Sequence, residues 1–219
     1  MVGAPTDAGA DRAADRDRMV DRLVASGHVE RESTERALRA VPRHAFVPEG
    51  RRDRAYVDRP LPIGGGQTIS APHMVAAMCD LLELDPGERV LEVGTGCGYH
   101  AAVTAEIVGA GNVYSVEFDP DLAATARERL AALGYDVHVR TGDGHQGWAE
   151  HAPYDAAYLT CAAHAFPDAV VEQVRPGGRL LGPLGGRTQT LVRGWRRADG
   201  RVDEEEHGGV RFVPMRGGE

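Results

Sequence analysis

The chain has 219 residues, 42% hydrophobic and 26% charged, which is typical of one globular unit with a substantial core. Its formal net charge of −8 argues against a partner bound through nucleic-acid phosphates. No apolar run approaches the roughly 20 residues that span a membrane, and residues 1–18 lack the apolar stretch of a secretory signal. The three cysteines lack metal-ligand spacing, so we expect no metal site and a reducing, cytoplasmic compartment.

The first 84 residues are predicted to contain helices and a lid. Residues 1–14 are small and charged with nothing to bury, so we expect a disordered extension there. Residues 15–84 follow as a segment of helices and lid. Apolar residues at helical spacing predict helices over Asp15–Gly27, Glu32–Val41 and Ala71–Leu84.

The stretch "GGGQTIS" (residues 64–70) comes directly before the third of these helices. It is open to two interpretations. The stretch is either a simple connection or a lid that carries groups close to a reacting centre.

Residues 85–219 alternate between buried strands and helices. This alternation predicts an α/β fold with a doubly wound parallel sheet and right-handed crossovers. Residues 188–197 and 208–215 are interpreted as strands joined by an acidic loop. The remaining predicted strands cover 89–94, 112–117, 136–143, 154–162 and 179–185, and the helices Tyr99–Val108, Asp119–Leu133 and Pro167–Val174.

The strongest local motif is "VLEVGTGCGYHAA", in which a buried strand turns through glycines into a helix. In a doubly wound sheet this point lies at the carboxyl edge, where ligands bind. The GxGxG spacing differs from the GxGxxG of dinucleotide folds. A carboxylate at Glu92 would repel a pyrophosphate but would suit a ligand with ammonium and sulfonium charges. The motif therefore favours S-adenosyl-L-methionine over a nicotinamide dinucleotide.

Acidic residues at two further strand ends support the same cofactor. Glu117 lies about 20 residues beyond the glycines, where a carboxylate can accept bonds from ribose hydroxyls. Asp143 and Gly144 end the third strand, where a short acceptor could take the amine of adenine. Three acidic residues at consecutive strand ends, together with the glycine turn, indicate a cofactor site.

Several segments, in this order, resemble the protein-L-isoaspartate O-methyltransferase family. They are "VPRHAFVP", "YVDRPLPIGGGQTISAPHMVAAM", "VLEVGTGCGYHAA", "YSVE", "GDGHQGW", "PYDAAYLTCAA", "VRPGGRLLGPLG" and "VRFVPM". The resemblance covers residues 15–215. It implies a seven-stranded, Rossmann-like methyltransferase sheet, formed here by residues 85–219 with the C-terminal strands, and an N-terminal helical lid over cofactor and substrate.

The resemblance also implies roles for individual residues. Ser70 matches the active-site position, although its hydroxyl could instead cap the following helix. For His73 we favour a structural role over a catalytic one. The implied cofactor-binding residues are Gln67, Thr68, Ile69, Glu92, Gly94, Thr95, Gly96, Gly98, Glu117, Asp143 and Gly144, and the implied substrate-binding residues are Ser70, Thr160, Val210, Arg211 and Phe212.

The implied reaction transfers the sulfonium methyl group to the free α-carboxylate of an L-isoaspartyl residue, which starts repair of damaged proteins through a succinimide. The implied partners are isoaspartyl proteins and peptides, with no nucleic acid or membrane, and we expect a monomer. The closest rival hypothesis is a related carboxylate methyltransferase that acts on an aspartate of a modified peptide. Two more distant hypotheses are a binding module without turnover and a nicotinamide-dependent oxidoreductase.

Overall fold

The computed structural model describes residues 8–218, with side chains from residue 12 onward. The helices are α1 (Ala8–Ala25), α2 (Glu32–Ala40), α3 (Pro72–Leu82), α4 (Tyr99–Val108), α5 (Pro120–Ala132) and α6 (Asp168–Gln173). The strands are β1 (Leu61–Gly64), β2 (Gln67–Ile69), β3 (Val90–Val93), β4 (Val113–Glu117), β5 (Val137–Thr141), β6 (Tyr154–Leu159), β7 (Val174–Gly185), β8 (Gln189–Arg196) and β9 (Val202–Val210). Among the helices of residues 8–218, none has both the length and the apolar composition that crossing a bilayer requires.

Strands β3 to β9 form one sheet in the order β5-β4-β3-β6-β7-β8-β9. The pairs from β5 through to β7 are parallel, whereas β8 and β9 are antiparallel to their neighbours. This confirms the predicted α/β class and the seven-stranded methyltransferase sheet. The strand order reverses at β3, because β4 lies on one side of it and β6 on the other. Ligands of such sheets bind at the carboxyl ends of the strands beside that reversal.

The central strands β3 and β4 are buried along their whole length, as the predicted apolar runs require. Their side chains alternate between two core clusters, with Val90 in one and Leu91 and Val93 in the other. The first cluster includes α1 to α4, and its fully buried members include Leu38 and Met78. The N-terminal helices therefore pack onto the same core as the sheet.

The glycine-rich stretch ahead of α3 is a β-hairpin. β1 and β2 pair with Leu61 opposite Ile69, and both of these side chains are buried. The turn is Gly65-Gly66, with φ of +58° and +73°, the left-handed conformation that tight hairpin turns demand and glycine adopts without strain. The stretch thus has its own paired structure, and its strand ends are anchored in the core.

Two sequence expectations are corrected at the N-terminus and in the C-terminal third. Helix α1 begins at Ala8, so residues 8–14 are helical and not disordered; residues 1–7 lie outside the described residues. The predicted acidic loop 198–207 is mostly strand β9, which pairs with β8 from Val202 to Val210. Asp203 to Glu206 are exposed on this edge strand. By contrast, residues 211–213 of the predicted last strand lie outside any strand.

Candidate active site

One cavity lies at the carboxyl ends of β3 and β4, as the strand reversal predicts. Its wall comes from the β1–β2 hairpin, the glycine turn, the start of α4, the end of β4 and the C-terminal segment. The lining residues are Gln67, Thr68, Ile69, Ser70, Val75, Val93, Gly94, Thr95, Gly96, Cys97, Tyr99, His100, Val116, Glu117, Phe118, Gly144, Thr160, Cys161, Val213, Pro214, Met215 and Arg216. We call this space the first cavity. Most of the predicted cofactor-binding residues therefore lie together.

The glycine turn is held by hydrogen bonds from both neighbouring strands. The Gly94 amide donates to the Val116 carbonyl at 2.8 Å, and the Thr160 hydroxyl donates to the carbonyls of Val93, at 3.2 Å, and Gly94. Gly94 has φ +100°, and a Cβ there would overlap the Thr160 hydroxyl oxygen. A side chain is thus excluded at Gly94 by both conformation and space. The turn presents bare backbone to the first cavity.

Gly98, predicted to bind the cofactor, lies outside the wall of the first cavity. It is the N-cap of α4 with φ +89°. A Cβ there would lie 3.1 Å from two side-chain carbons of Leu130 on α5. The glycine at this position therefore allows α4 and α5 to pack closely.

Glu117 lies at the cavity mouth, at the last position of β4, and is 8% exposed. Its carboxylate accepts the Gly96 amide at 2.8 Å and the Asp119 amide at 3.0 Å. These two bonds fix the carboxylate between the glycine turn and the start of α5. Each carboxylate oxygen still has a lone pair for a further donor, such as a ligand hydroxyl.

The structure does not bring Glu92 to the cavity wall. Its side chain is fully buried beneath the glycine turn, where it accepts the hydroxyls of Ser115 at 2.5 Å and Tyr158 at 2.9 Å. Burial raises the pKa of the carboxyl to about 8 even though these two bonds favour the charged form. Glu92 is therefore mostly protonated at neutral pH, and the expectation that its charge attracts a sulfonium ion is not supported. Instead, Glu92 holds a buried hydrogen-bond network.

Asp143 and Gly144, predicted to act as a pair, separate in the structure. Gly144 lines the first cavity, close to the Met215 side chain, but Asp143 does not. The Asp143 carboxylate accepts the amides of His145 at 2.9 Å and Gly218 at 2.8 Å. Burial alone would raise its pKa, but these hydrogen bonds outweigh it and lower the pKa. Asp143 thus anchors the C-terminal segment beside the cavity.

Ser70 follows the hairpin and lines both the first cavity and a second one next to it. Within the described residues its hydroxyl has no hydrogen-bond partner. The N-cap of α3 is Ala71, without a side-chain cap bond, so the capping interpretation of Ser70 is not realised. The Ser70 hydroxyl is therefore available to a ligand at the junction of the two cavities.

The second cavity opens beside the C-terminal segment. Thr160 and the predicted substrate residues Val210, Arg211 and Phe212 line it, together with Pro60, Thr68, Ser70, Ala71, His73, Met74, Gly209 and Val213. The side-chain amide of Gln189 donates to the Phe212 carbonyl at 3.1 Å and accepts the Phe212 amide at 2.6 Å. Sequence reasoning missed Gln189. Its side-chain amide bonds both the carbonyl and the amide of Phe212, as the main chain of a neighbouring strand would, and so holds this wall of the second cavity in place.

His73 lies at the rim of the second cavity and is held by Asp58. The ring Nδ1 and the backbone amide of His73 each lie 2.9 Å from the same Asp58 carboxylate oxygen. This favours the structural role predicted for His73, because both contacts tie the start of α3 to the segment before β1.

Sequence reasoning also missed several residues of the first cavity. Tyr99 and His100 form the first turn of α4, and their position directly after the glycine turn was a usable signal. Cys161 follows the predicted residue Thr160 and could have been found from it, whereas Met215 reaches the cavity from the C-terminal segment and nothing local in the sequence marks it. Burial raises the pKa of the Cys161 thiol to about 12, so it remains protonated.

The residues present fit an adenosyl cofactor with an amino-acid tail. The bare turn at Gly94 admits a ligand close to the backbone, and the Glu117 carboxylate offers acceptors for hydroxyls. Val116 and Ile69 supply apolar wall between these polar points. A doubly wound sheet with such a glycine turn and acidic strand end defines the Rossmann-like methyltransferase class.

Comparison with known proteins narrows this class to one family. The profile of the "Protein-L-isoaspartate(D-aspartate) O-methyltransferase (PCMT)" family matches residues 14–219, and the chain belongs to this family. S-adenosylmethionine is the family's cofactor. Among the relatives, protein-L-isoaspartate O-methyltransferase 2 of Archaeoglobus fulgidus is 54% identical over 92% of this chain and 93% of its own length. The Methanopyrus kandleri protein-L-isoaspartate O-methyltransferase is 50% identical over 93% of this chain and 92% of its own length.

Two solved structures superpose on the fold described above. A protein-L-isoaspartate O-methyltransferase superposes with a TM-score of 0.85 at 27% identity, over 92% of this chain and 66% of that one. A Plasmodium falciparum protein, solved in complex with S-adenosyl-L-homocysteine, superposes with a TM-score of 0.79 at 23% identity, over 92% of this chain and 98% of that one.

Proposed function

We propose that the protein methylates the free α-carboxylate of L-isoaspartyl residues in damaged proteins, with Ser70 as the residue that positions this carboxylate. One observation carries the residue-level proposal: the first and second cavities share Thr68, Ser70, Thr160 and Val213. A cofactor in the first cavity and a peptide in the second would meet at these residues. Among the described residues, the hydroxyls of Thr68 and Ser70 at that junction both lack a hydrogen-bond partner, and Ser70 is the less exposed of the two.

The cofactor side of the proposal rests on Glu117 and the glycine turn. S-adenosylmethionine, when bound, supplies an electrophilic methyl group on a sulfonium centre. Glu117 would accept the ribose hydroxyls, because its carboxylate is already oriented by two backbone amides. Gly94, Thr95, Gly96 and Gly144 would allow close approach of the backbone, and Gln67, Thr68 and Ile69 would cover the site from the hairpin.

The acceptor needs orientation more than activation. An α-carboxylate has a reference pKa near 3.5 and is ionised at neutral pH, so no strong general base is required. Ser70 would donate its hydroxyl hydrogen to one carboxylate oxygen. The Thr160 hydroxyl hydrogen already serves the glycine turn. Alignment of the carboxylate with the methyl group, with water excluded by the hairpin, can contribute roughly 7–11 kcal/mol.

Other nucleophiles in the first cavity must not compete for the methyl group. Cys97 and Cys161 both line it, and burial raises the pKa of each thiol. Because thiolates, not thiols, are the reactive form, both cysteines stay inert at neutral pH. The neighbouring backbone nitrogen can attack the methyl ester that forms; the ester C–O bond breaks, methanol leaves with the amide proton, and a succinimide closes without further help from the protein.

The second cavity would bind the peptide around the isoaspartyl residue. Val210, Arg211 and Phe212 would contact its backbone, with the Phe212 main chain held in place by Gln189. We propose isoaspartyl proteins and peptides as partners, a monomeric state and a cytoplasmic location. The net charge of −8 supports the absence of nucleic acid from this list.

The test is methylation of a peptide pair that differs only at one linkage, L-isoaspartyl in one and normal L-aspartyl in the other. The proposal expects radiolabelled methyl incorporation into the isoaspartyl peptide and near-background incorporation into its partner. Equal methylation of both, or methylation only of the aspartyl form, would favour a methyltransferase directed at aspartate. Retained binding of S-adenosylhomocysteine without any methylation would indicate a binding module.

A further inference from the structure

His100 is a buried polar residue on the wall of the first cavity with one ring nitrogen unpaired. It lies in the first turn of α4 and is 7% exposed. Its Nε2 lies 3.6 Å from the Cys79 sulfur, and its ring packs at 4.5 Å on the Tyr158 ring. Its Nδ1 is buried and has no hydrogen-bond partner among the described residues. A buried polar atom of this kind costs stability unless a ligand pairs with it.

The contact between Cys79 and His100 favours one of the two neutral tautomers of the ring, because a ring nitrogen is a stronger hydrogen-bond acceptor than a thiol sulfur. Burial lowers the pKa of the imidazole to about 3, so the ring is neutral at physiological pH. Burial also raises the pKa of Cys79, so its thiol keeps its hydrogen and can donate it to Nε2. A neutral imidazole that accepts at Nε2 carries its own hydrogen on Nδ1. The unpaired Nδ1 is therefore a hydrogen-bond donor.

A second feature at the same place favours an anion. His100 stands at the N-terminus of the ten-residue helix α4, whose first backbone amides and macrodipole attract negative charge. An unpaired ring N–H and a helix N-terminus together suit a carboxylate far better than an ammonium group.

We propose that the Nδ1–H of His100 binds the carboxylate of the amino-acid tail of the methyl donor and of its demethylated product. The substrate carboxylate is the other carboxylate of this reaction, but it must meet Ser70. Ser70 and Thr160 line both cavities, whereas His100 lines only the first. Cys79 acts as a positioning residue that sets the tautomer of His100. The inference rests on the cofactor part of the proposed function, and its test does not require methyl transfer.

Calorimetric binding of three ligands to the full chain tests this assignment. The ligands are S-adenosylhomocysteine, its decarboxylated analogue with only the ammonium group, and 5′-methylthioadenosine, which lacks the whole tail. We expect His100→Leu to weaken S-adenosylhomocysteine roughly tenfold to a hundredfold and to change the other two by about twofold or less. His100→Asn, which keeps an N–H near the position of Nδ1, should recover most of the loss.

Three comparisons keep the test decisive. His138→Leu, an exposed histidine on β5, is the matched control and should leave all three affinities unchanged. Cys79→Ala should weaken S-adenosylhomocysteine by about threefold, because the other tautomer then becomes accessible. If His100→Leu does not fold, the wild type must still bind the decarboxylated analogue at least roughly tenfold more weakly than S-adenosylhomocysteine.

Two results would overturn the assignment while leaving the cofactor site intact. Equal losses for all three ligands would make His100 a packing residue. Unchanged S-adenosylhomocysteine affinity with a raised KM for the isoaspartyl peptide would assign His100 to the substrate. Failure of the wild type to bind S-adenosylhomocysteine at all would instead refute the cofactor part of the proposed function.

Discussion

The two sides of the first cavity differ in how many of their polar groups are already hydrogen-bonded. We call the glycine turn (residues 94–98) with Glu117 the floor, and the β1–β2 hairpin with Ser70 (residues 61–70) the roof. On the floor, Glu117 accepts two backbone amides and the Thr160 hydroxyl donates to the carbonyls of Val93 and Gly94. On the roof, Ser70 has no partner among the described residues, and Cβ atoms added at Gly64 and Gly66 would meet nothing within 4 Å.

This difference indicates that the floor binds the cofactor and that the roof contacts the substrate. A floor whose groups are fixed by the sheet is preorganised, so it can hold a cofactor at little ordering cost. A roof whose Ser70 hydroxyl is unpaired makes this polar contact only when a substrate arrives. Floor substitutions should therefore change cofactor affinity, and roof substitutions should change methyl transfer.

The largest effect is expected from Gly94→Ala on the floor. The added Cβ would overlap the Thr160 hydroxyl oxygen at a backbone φ of +100°. We expect loss of S-adenosylhomocysteine affinity by roughly a hundredfold or more, measured by calorimetry. Gly87→Ala is the control, since Gly87 has a similar φ of +87° but open space around it. Equal losses in both variants would show that backbone strain, and not the contact with Thr160, is responsible.

The next effect is expected from Glu117→Ala. Loss of a carboxylate that accepts ligand hydroxyls should weaken cofactor binding roughly tenfold to a hundredfold. Glu128→Ala, at an exposed position of α5, removes the same charge outside the cavity and should leave the affinity unchanged. An unaltered dissociation constant for Glu117→Ala would break the assignment of the floor to the cofactor.

Ser70→Ala on the roof is expected to have a smaller effect. It should change the efficiency of methyl transfer and not the affinity for the cofactor. We expect kcat/KM for an isoaspartyl peptide to fall roughly tenfold while S-adenosylhomocysteine affinity changes by about twofold or less. Ser26→Ala removes a hydroxyl at the end of α1, where it bonds the Arg22 carbonyl, and serves as the control. A large loss of cofactor affinity in Ser70→Ala would show that Ser70 mainly binds the cofactor, as the floor residues do.

The smallest functional effect is expected from Glu92→Gln beneath the floor. Because the pKa of Glu92 is raised to about 8, glutamine resembles its protonated form, and cofactor affinity at neutral pH should change by about twofold or less. A large loss of affinity near neutral pH would show that Glu92 is ionised and that its negative charge attracts the cofactor.

The same variant makes a prediction about stability. Between about pH 4.5 and 8 the folded protein keeps a proton on Glu92 that the unfolded chain has lost, so Glu92 lowers the free energy of unfolding as pH rises. The stability of Glu92→Gln relative to wild type should therefore increase from pH 5.5 to 7.5, by about 1.4 kcal/mol per pH unit at most. Urea unfolding at the two pH values measures this, and a constant difference would mean that the carboxyl is ionised throughout.

The fold was predictable where local patterns decide it. Alternating apolar runs and capped helices predicted β3, α4, β4 and α5 almost to the residue. Strand β9 was not predictable in this way, because "DEEEH" has low strand propensity and forms a strand through pairing with β8, for example Glu206 with Val192. Tertiary pairing there outweighs local preference.

The site was predictable to the extent that strand ends define it. Glu117 occupies the last position of its strand and reaches the cavity. Glu92 lies one residue before the end of β3, pairs laterally with Ser115 and points beneath the turn. A one-residue difference along a strand reverses the face of the side chain, and sequence spacing alone does not resolve it. Met215 required the folded chain, because it approaches the cavity from the C-terminal segment, far in sequence from the strand ends.

The acidic edge of β9 also limits how the sheet can grow. Two copies aligned along this edge would place glutamates such as Glu204 and Glu206 against carboxylates of the other copy, and like charges directly opposite destabilise a strand pair. This repulsion opposes edge-to-edge pairing of two β9 strands, and so it opposes polymerisation through the open edge of the sheet. At about 1 M salt, where the screening length falls to roughly 3 Å, the repulsion between the two acidic edges would weaken.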